Sequence, residues 1–245
     1  MKRILLLDYD HTMYASTLPT LKAVDARITL YVQTFLGLSA ADADATRVRL
    51  YTRHGTTLRG LEEEHGVDRD HYCDFVHAID QHHLPPPDPE LLAWLGRVPH
   101  PLYLFTNARR DWVERGLHAM GLSDILPEDA RTERVATESP AFTAALPSLA
   151  GNPRLHGIFD IDFLDWEGKP HAPAYAKVDA HLRARHGDDL HITFADDRTD
   201  NLATARARGW TTIWIQPHDA AAIPSGYEFD RAVSSLTRLD PERLV

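Results

Sequence analysis

Residues 5–12 read Leu5-Leu6-Leu7-Asp8-Tyr9-Asp10-His11-Thr12. The apolar run, which begins at Ile4, stops abruptly at two carboxylates two residues apart. A short continuous apolar run that ends in polar residues reads as a strand covered on both faces, the kind found in parallel sheets. Successive strand side chains point to opposite faces, so Asp8 and Asp10 are expected on one side of the strand end. Two carboxylates at that range repel unless a proton or a cation neutralises one of them, which makes this stretch a candidate metal site.

Similar apolar runs follow at residues 101–106 (PLYLFT), 157–161 (GIFDI), 190–195 (LHITFA) and 211–215 (TTIWI). Helical patterns separate most of them: residues 109–120 before Gly121, 173–186 before Gly187 and 199–208 before Gly209. Each glycine stands where a left-handed cap would close a helix. Strands alternating with helices of this length predict an α/β fold, a Rossmann-like parallel sheet flanked by helices. Residues 15–83 break the alternation with four helical segments and no strand: 18–35, 39–53 with Ser39 as N-cap, 57–65 closed by Gly66, and 68–81. The reading is a helical-bundle cap, residues 15–84, inserted after the first strand of a core formed by residues 1–14 and 85–245. Segment 84–89 (LPPPDP) is the stiff return to the core, ahead of a helix over residues 88–96. Residues 127–154 read as a long loop with a short helix near 140–146, and residues 225–245 as a short strand at 228–233 followed by a terminal helix.

With 245 residues, 43% hydrophobic and 25% charged, the chain has the composition of a globular protein rather than a disordered one. A net charge of −10 argues against a nucleic-acid polymer as partner, and an anionic ligand would need a locally positive pocket. The single cysteine, Cys73, excludes an internal disulfide and reads as a small buried hydrophobe. Met1-Lys2-Arg3 ahead of an apolar run imitates a signal peptide, but four apolar residues fall short of the roughly 7–15 such a segment needs. No stretch approaches the ~20 apolar residues of a membrane span. The expectation is a cytoplasmic protein, monomeric or homodimeric, with no membrane partner. Most of the 15 histidines read as solvated, and His82-His83, His181 and His186 show no metal-ligand pattern.

Ligands of open α/β sheets bind beyond the carboxyl ends of the strands, so the polar residues after each run belong together. These are Asp8, Asp10 and Thr12; Thr106 and Asn107; Lys169-Pro170; and Asp196, Asp197, Asp200 and Asn201. Singly, each has an ordinary reading: Asp8 and Asp10 as a turn pair, Thr106-Asn107 or Asp196-Asp197 as a helix cap, Lys169 as a surface lysine. Jointly they resemble the haloacid dehalogenase-like (HAD) hydrolase superfamily: Asp8-Tyr9-Asp10-His11-Thr12 its DxDxT motif, Thr106-Asn107 its hydroxyl motif, Lys169 its lysine motif, Asp196-Asp197 its acidic pair. The helical insert resembles the superfamily's type-1 cap.

The resemblance implies chemistry. Asp8 would be the nucleophile that forms an aspartyl-phosphate. Mg²⁺ would be held by Asp8, the backbone carbonyl of Asp10 and Asp197, with Asp196 in direct or indirect support. Asp10 would be the acid for the leaving oxygen and then the base for water. Its presence favours a phosphatase, since the superfamily's dehalogenases lack this second aspartate. Thr106, Asn107 and Lys169 would bind phosphate, and His11 would contribute mainly backbone.

A narrower resemblance, to pyrimidine 5′-nucleotidases, lies in Tyr51-Thr52-Arg53-His54-Gly55-Thr56-Thr57-Leu58-Arg59-Gly60-Leu61, with Phe159-Asp160-Ile161, Ala174-Tyr175 and Leu104 to Ala108 in agreement. His54 departs from that pattern, where tyrosine is usual. Arg53, His54, Thr56 and Arg59 are the candidate substrate contacts; the alternative is that they are solvated helix residues. The expected substrate is a small phosphorylated metabolite, foremost a nucleoside monophosphate. A sugar phosphatase, a phosphomutase and a non-catalytic binding module are the alternatives.

Overall fold

Ile4, Leu5, Leu6 and Leu7 are each at most 1% exposed, so both faces of their strand are covered. The computed structural model describes residues 1–126, 155–217 and 226–244. In it the apolar runs become β1 (Lys2–Leu7), β2 (Leu102–Phe105), β3 (Leu155–Phe159), β4 (Leu190–Asp196), β5 (Thr211–Ile215) and β6 (Arg231–Val233). They form one sheet in the order β3-β2-β1-β4-β5-β6, with every neighbouring pair parallel.

The chain divides into two compact units, Met1–Thr17 with Pro86–Val245, and Leu18–Pro85. In the sheet unit the helices are α5 (Pro89–Gly96), α6 (Arg110–Ala119), α7 (Ala172–His186) and α8 (Thr199–Ala207), which with the sheet make an α/β arrangement. Ile4, Leu6, Tyr103, Phe105, Ile192 and Phe194 pack in one cluster with Tyr175, Val178 and Leu182 of α7 and Leu202 and Ala205 of α8. The alternate residues Leu5, Leu7, Leu102 and Leu104 are buried on the opposite face. Two apolar faces leave the strand ends as the place for polar chemistry. With β1 between β2 and β4, three carboxyl ends lie side by side, and Leu7 registers with both Leu104 and Ala195.

The other unit is all helical: α1 (Thr20–Leu36), α2 (Ala40–His54), α3 (Thr57–His65) and α4 (Arg69–His77). The Ser39 hydroxyl caps α2 by accepting from the Asp42 N–H at 3.2 Å, and Gly37, Gly55 and Gly66 close three helices in the left-handed conformation. Tyr31 of α1 packs on Tyr72 and Phe75 of α4 at centroid distances of 4.9 and 5.2 Å. Cys73 is buried there as a hydrophobe.

Several expectations give way. The helix over residues 68–81 stops at His77, because Ala78 turns to ψ 62 and the Ile79 N–H donates to the His77 carbonyl at 2.8 Å, burying Ile79; Gln81–His83 is a separate 3-10 turn. Gly187 has positive φ but ψ 171, so α7 leaves in an extended direction and not through a left-handed cap. The expected terminal helix is instead two 3-10 turns, Leu236–Arg238 and Pro241–Arg243, where Pro241 interrupts the run and Leu236, Leu239 and Leu244 each find burial. The loop and short helix expected within residues 127–154 lie outside the described residues.

Gly116 of α6 sits against the ring of Tyr9: a Cβ there would lie 1.5 Å from the phenol oxygen. Gly116→Ala is expected to cost about 1–3 kcal/mol by overpacking. Thermal melts should therefore drop by about 2–12 °C, and by less when Tyr9→Phe removes that oxygen. A Gly116→Ala protein that melts with wild type would refute this packing.

Candidate active site

The first residue past β1 is Asp8. Its N–H donates to the Ala195 carbonyl at 2.9 Å, so the ladder to β4 continues one residue beyond the strand and places Asp8 beside Asp196. On the other flank the Thr106 N–H donates to the Phe159 carbonyl at 3.0 Å. Lys169 enters from the turn before α7, and its ammonium lies between the two acids, 2.6 Å from Asp8 Oδ1 and 2.7 Å from Asp196 Oδ2. All three are at most 7% exposed.

Burial pushes the Asp8 carboxyl well above the usual carboxylate range; Lys169 opposes the rise, and Asp196 and Asp197 add to it. Burial likewise raises Asp196 against the pull of Lys169. Burial disfavours the Lys169 ammonium, but Asp196 and Asp8 outweigh it and hold the group above its ordinary value. One ammonium therefore bridges two buried carboxylates, with Asp197 close by.

Asp196 is almost fully engaged. Besides Lys169, it accepts from Asn201 Nδ2 at 3.0 Å on both oxygens and from the Arg198 N–H at 2.8 Å. Asp8 Oδ2 has a long 3.4 Å contact with the Thr12 hydroxyl, and Asp197 is only half-buried. Oxygens of Asp8, Asp196 and Asp197 lie within 4.8 Å of one another. A compact all-oxygen donor set with excess negative charge fits a hard divalent cation such as Mg²⁺.

Asp10 is not part of that group. Strand alternation would align it with Asp8, but β1 ends at Leu7 and the chain turns, with the Met13 N–H on the Tyr9 carbonyl at 3.0 Å and His11 at φ 60. The Asp10 carboxylate instead accepts from the Tyr14 hydroxyl and from Trp112 Nε1 at 3.2 Å, both on Oδ1. Burial raises its pKa, and the two hydrogen bonds oppose the rise. The two acids thus differ in their partners: Asp8 faces the Lys169 ammonium and Asp10 two neutral donors.

Other expected residues are placed as follows. The Thr106 hydroxyl is buried and accepts from the Ala108 N–H at 3.0 Å. The Asn107 side chain is spent on the lysine: Nδ2 donates to the Lys169 carbonyl at 2.8 Å and Oδ1 accepts from the Lys169 N–H at 2.7 Å. It orients Lys169, a different task from the phosphate contact expected of it. His11 was expected to matter through its backbone, yet its Nδ1 lies 3.7 Å from Asp197 Oδ2. In the helical unit, His54 contacts Glu63 and Glu64 at 2.9 and 2.8 Å, Arg59 pairs with Glu63 at 2.8 Å, Arg53 lies 3.5 Å from Glu64, and the Thr56 hydroxyl caps α3. These four have partners within the α2–α3 hairpin. Tyr14, Trp112 and Asn201 were not among the expected site residues, and only Asn201, in the polar stretch after β4, carried a signal.

No family model matches the sequence, and no curated protein matches it. Solved structures do. A HAD-like hydrolase from Bacteroides fragilis superposes with TM-score 0.58 at 14% identity, over 97% of this chain and 99% of that one. The chain has the fold of the haloacid dehalogenase-like hydrolases. A HAD hydrolase from Bacillus subtilis bound to magnesium matches with TM-score 0.52 at 16% identity, over 97% and 96% of the two chains. L-2-haloacid dehalogenase from Xanthobacter autotrophicus matches with TM-score 0.52 at 14% identity, over 98% and 97%. Among the described residues, no helix is long and apolar enough to cross a membrane.

The raised acids make a testable link between pH and cation. The folded chain holds protons on Asp8 and Asp196 above the unfolded value of 3.8, so stability falls as pH rises from there through the raised values. Lys169 adds no slope in that window, being charged in both states well below 10.5. A cation bound only by the folded state stabilises by about 2.7 kcal/mol at one hundred times its Kd. Mg²⁺ should therefore raise the melting temperature at neutral pH by several degrees, with little effect near pH 4 and full reversal by EDTA. Melts indifferent to Mg²⁺ at neutral pH would contradict a cation site.

Proposed function

We propose that this chain is a Mg²⁺-dependent phosphomonoester hydrolase that works through an aspartyl-phosphate on Asp8 and acts on small phosphorylated metabolites, nucleoside 5′-monophosphates first among them. The observation that supports it most is the division of labour between the two acids. Asp8 sits buried against the Lys169 ammonium, while Asp10 sits apart on two neutral donors; burial raises the pKa of both.

In this reading Asp8 attacks phosphorus, and Lys169 offsets the approach of one anion to another. Asp10 delivers a proton to the leaving oxygen, then removes one from the water that cleaves the aspartyl-phosphate. Thr106 offers its hydroxyl to a phosphate oxygen, and Asn107 keeps the Lys169 backbone in place. Asp8, the Asp10 carbonyl and Asp197 would hold the cation, with Asp196 anchored behind them. When bound, the cation supplies positive charge against the phosphate and against charge developing in the transition state. Arg53, His54, Thr56 and Arg59 are the proposed leaving-group contacts, a role that requires Arg53, His54 and Arg59 to leave Glu63 and Glu64. Sugar phosphates and other small esters are the alternative substrates.

Hydrolysis of a 2-haloacid, the activity that several fold neighbours carry in their names, would use the same nucleophile. It has no leaving oxygen to protonate, so the arrangement around Asp10 favours phosphate esters. A release assay over nucleotides, sugar phosphates and 2-chloropropionate, with Mg²⁺ and with EDTA, separates these. Phosphate release should depend on Mg²⁺, vanish in Asp8→Asn and fall about 10²–10⁴-fold in Asp10→Asn on poor leaving groups. Release that survives Asp8→Asn, or halide release without phosphate release, would overturn the proposal.

A further inference from the structure

Among the described residues, the partners of the Asp10 carboxylate meet one oxygen. The Tyr14 hydroxyl, four residues on in the same turn, and Trp112 Nε1, from the first turn of α6, both reach Oδ1. Tyr14 is 6% and Trp112 3% exposed, so neither donor has bulk water as an alternative partner. An indole N–H donates and never accepts, so Oδ1 must offer Trp112 a lone pair in either protonation state. The carbonyl oxygen of a carboxylic acid is a better acceptor than its hydroxyl oxygen. Two donors on Oδ1 therefore leave Oδ2 as the seat of the proton.

We propose that Tyr14 and Trp112 are positioning residues that fix Asp10 with Oδ2 as the atom that gives and takes the catalytic proton. The proposal rests on the phosphohydrolase reading above. In the first half-reaction an Asp8 oxygen bonds to phosphorus, the bond from phosphorus to the leaving oxygen breaks with its electron pair on that oxygen, and the Oδ2 proton joins it. Asp10 is then a carboxylate, with Oδ1 still under both donors. In the second, Oδ2 takes a proton from water as the water oxygen bonds to phosphorus, and the electron pair of the breaking bond returns to Asp8. Both donors stay in place throughout, so the same oxygen faces the reacting group in both directions. They also stabilise the carboxylate that exists between the two halves.

The test is the leaving-group dependence of kcat/KM, which reports the steps up to the first phosphoryl transfer. Glycerol phosphate expels an alkoxide and needs the proton; p-nitrophenyl phosphate expels a stable phenolate and does not. In Tyr14→Phe and in Trp112→Phe, kcat/KM on glycerol phosphate should fall about 10–100-fold, against less than about threefold on p-nitrophenyl phosphate. In an Asp10→Asn background, Tyr14→Phe should add almost nothing. An equal fall on both esters would show a merely structural role and overturn the proposal, as would no fall on either. If Trp112→Phe loses its folded circular dichroism spectrum, Tyr14→Phe decides alone, since it removes one oxygen. A wild type that hydrolyses neither ester overturns the phosphohydrolase reading and this proposal with it, whereas hydrolysis of both with an unmoved ratio in Tyr14→Phe overturns only the positioning role.

Discussion

The ammonium of Lys169, buried between Asp8 and Asp196, is the contact on which the site is built. It joins the end of β1, the end of β4 and the turn before α7. Removing one partner of such a group strands the others in a poor dielectric, a loss of several kcal/mol by comparison with other buried pairs. Much of the local structure serves to hold it. Asn107 clips the Lys169 backbone through both ends of its amide, and Gly168 makes the clip possible, since a Cβ there would lie 2.3 Å from Asn107 Oδ1. Asn201 and the Arg198 N–H fix Asp196 from behind.

The charge count gives the cluster the chemistry of a cation site as well as that of a brace. Asp8, Asp196 and Asp197 against one Lys169 leave an excess of negative charge in a mostly buried place, and burial and mutual repulsion lift the two innermost acids. A divalent cation would relieve that excess, and a phosphate would arrive at a centre already balanced. Asp10 stays out of this balance because its carboxylate turns toward Tyr14 and Trp112. The two neighbouring acids therefore have different partners, an ammonium for Asp8 and two neutral donors for Asp10.

Much of this was legible in the sequence, for physical reasons. Asp8, Thr106 and the Asp196-Asp197 pair each end or follow an apolar run, and a parallel sheet brings the carboxyl ends of its strands to one edge. Periodicity, however, does not say where a strand stops. Alternation would set Asp10 beside Asp8, whereas the chain turns after Leu7 and carries Asp10 to a partner 102 residues away, Trp112. A tryptophan in an amphipathic helix reads as core, and here it is both core and donor. Asn107 reads as a ligand because a strand-end amide after threonine is available in sequence; only the fold shows that its amide is consumed by Lys169. His54 and its neighbours read as substrate contacts until Glu63 and Glu64 come within reach across the helix turn.

The central claim is that Asp8 becomes covalently phosphorylated during turnover. Acid quenching of enzyme mixed with a hydrolysed phosphate ester and Mg²⁺, followed by peptide mass mapping, tests it directly. The account predicts one phosphoryl group on the peptide that carries Asp8, absent with EDTA and accumulating when Asp10→Asn slows the attack of water. Turnover with no phosphorylated peptide in either protein, or a phosphoryl group mapped to another residue, would contradict it.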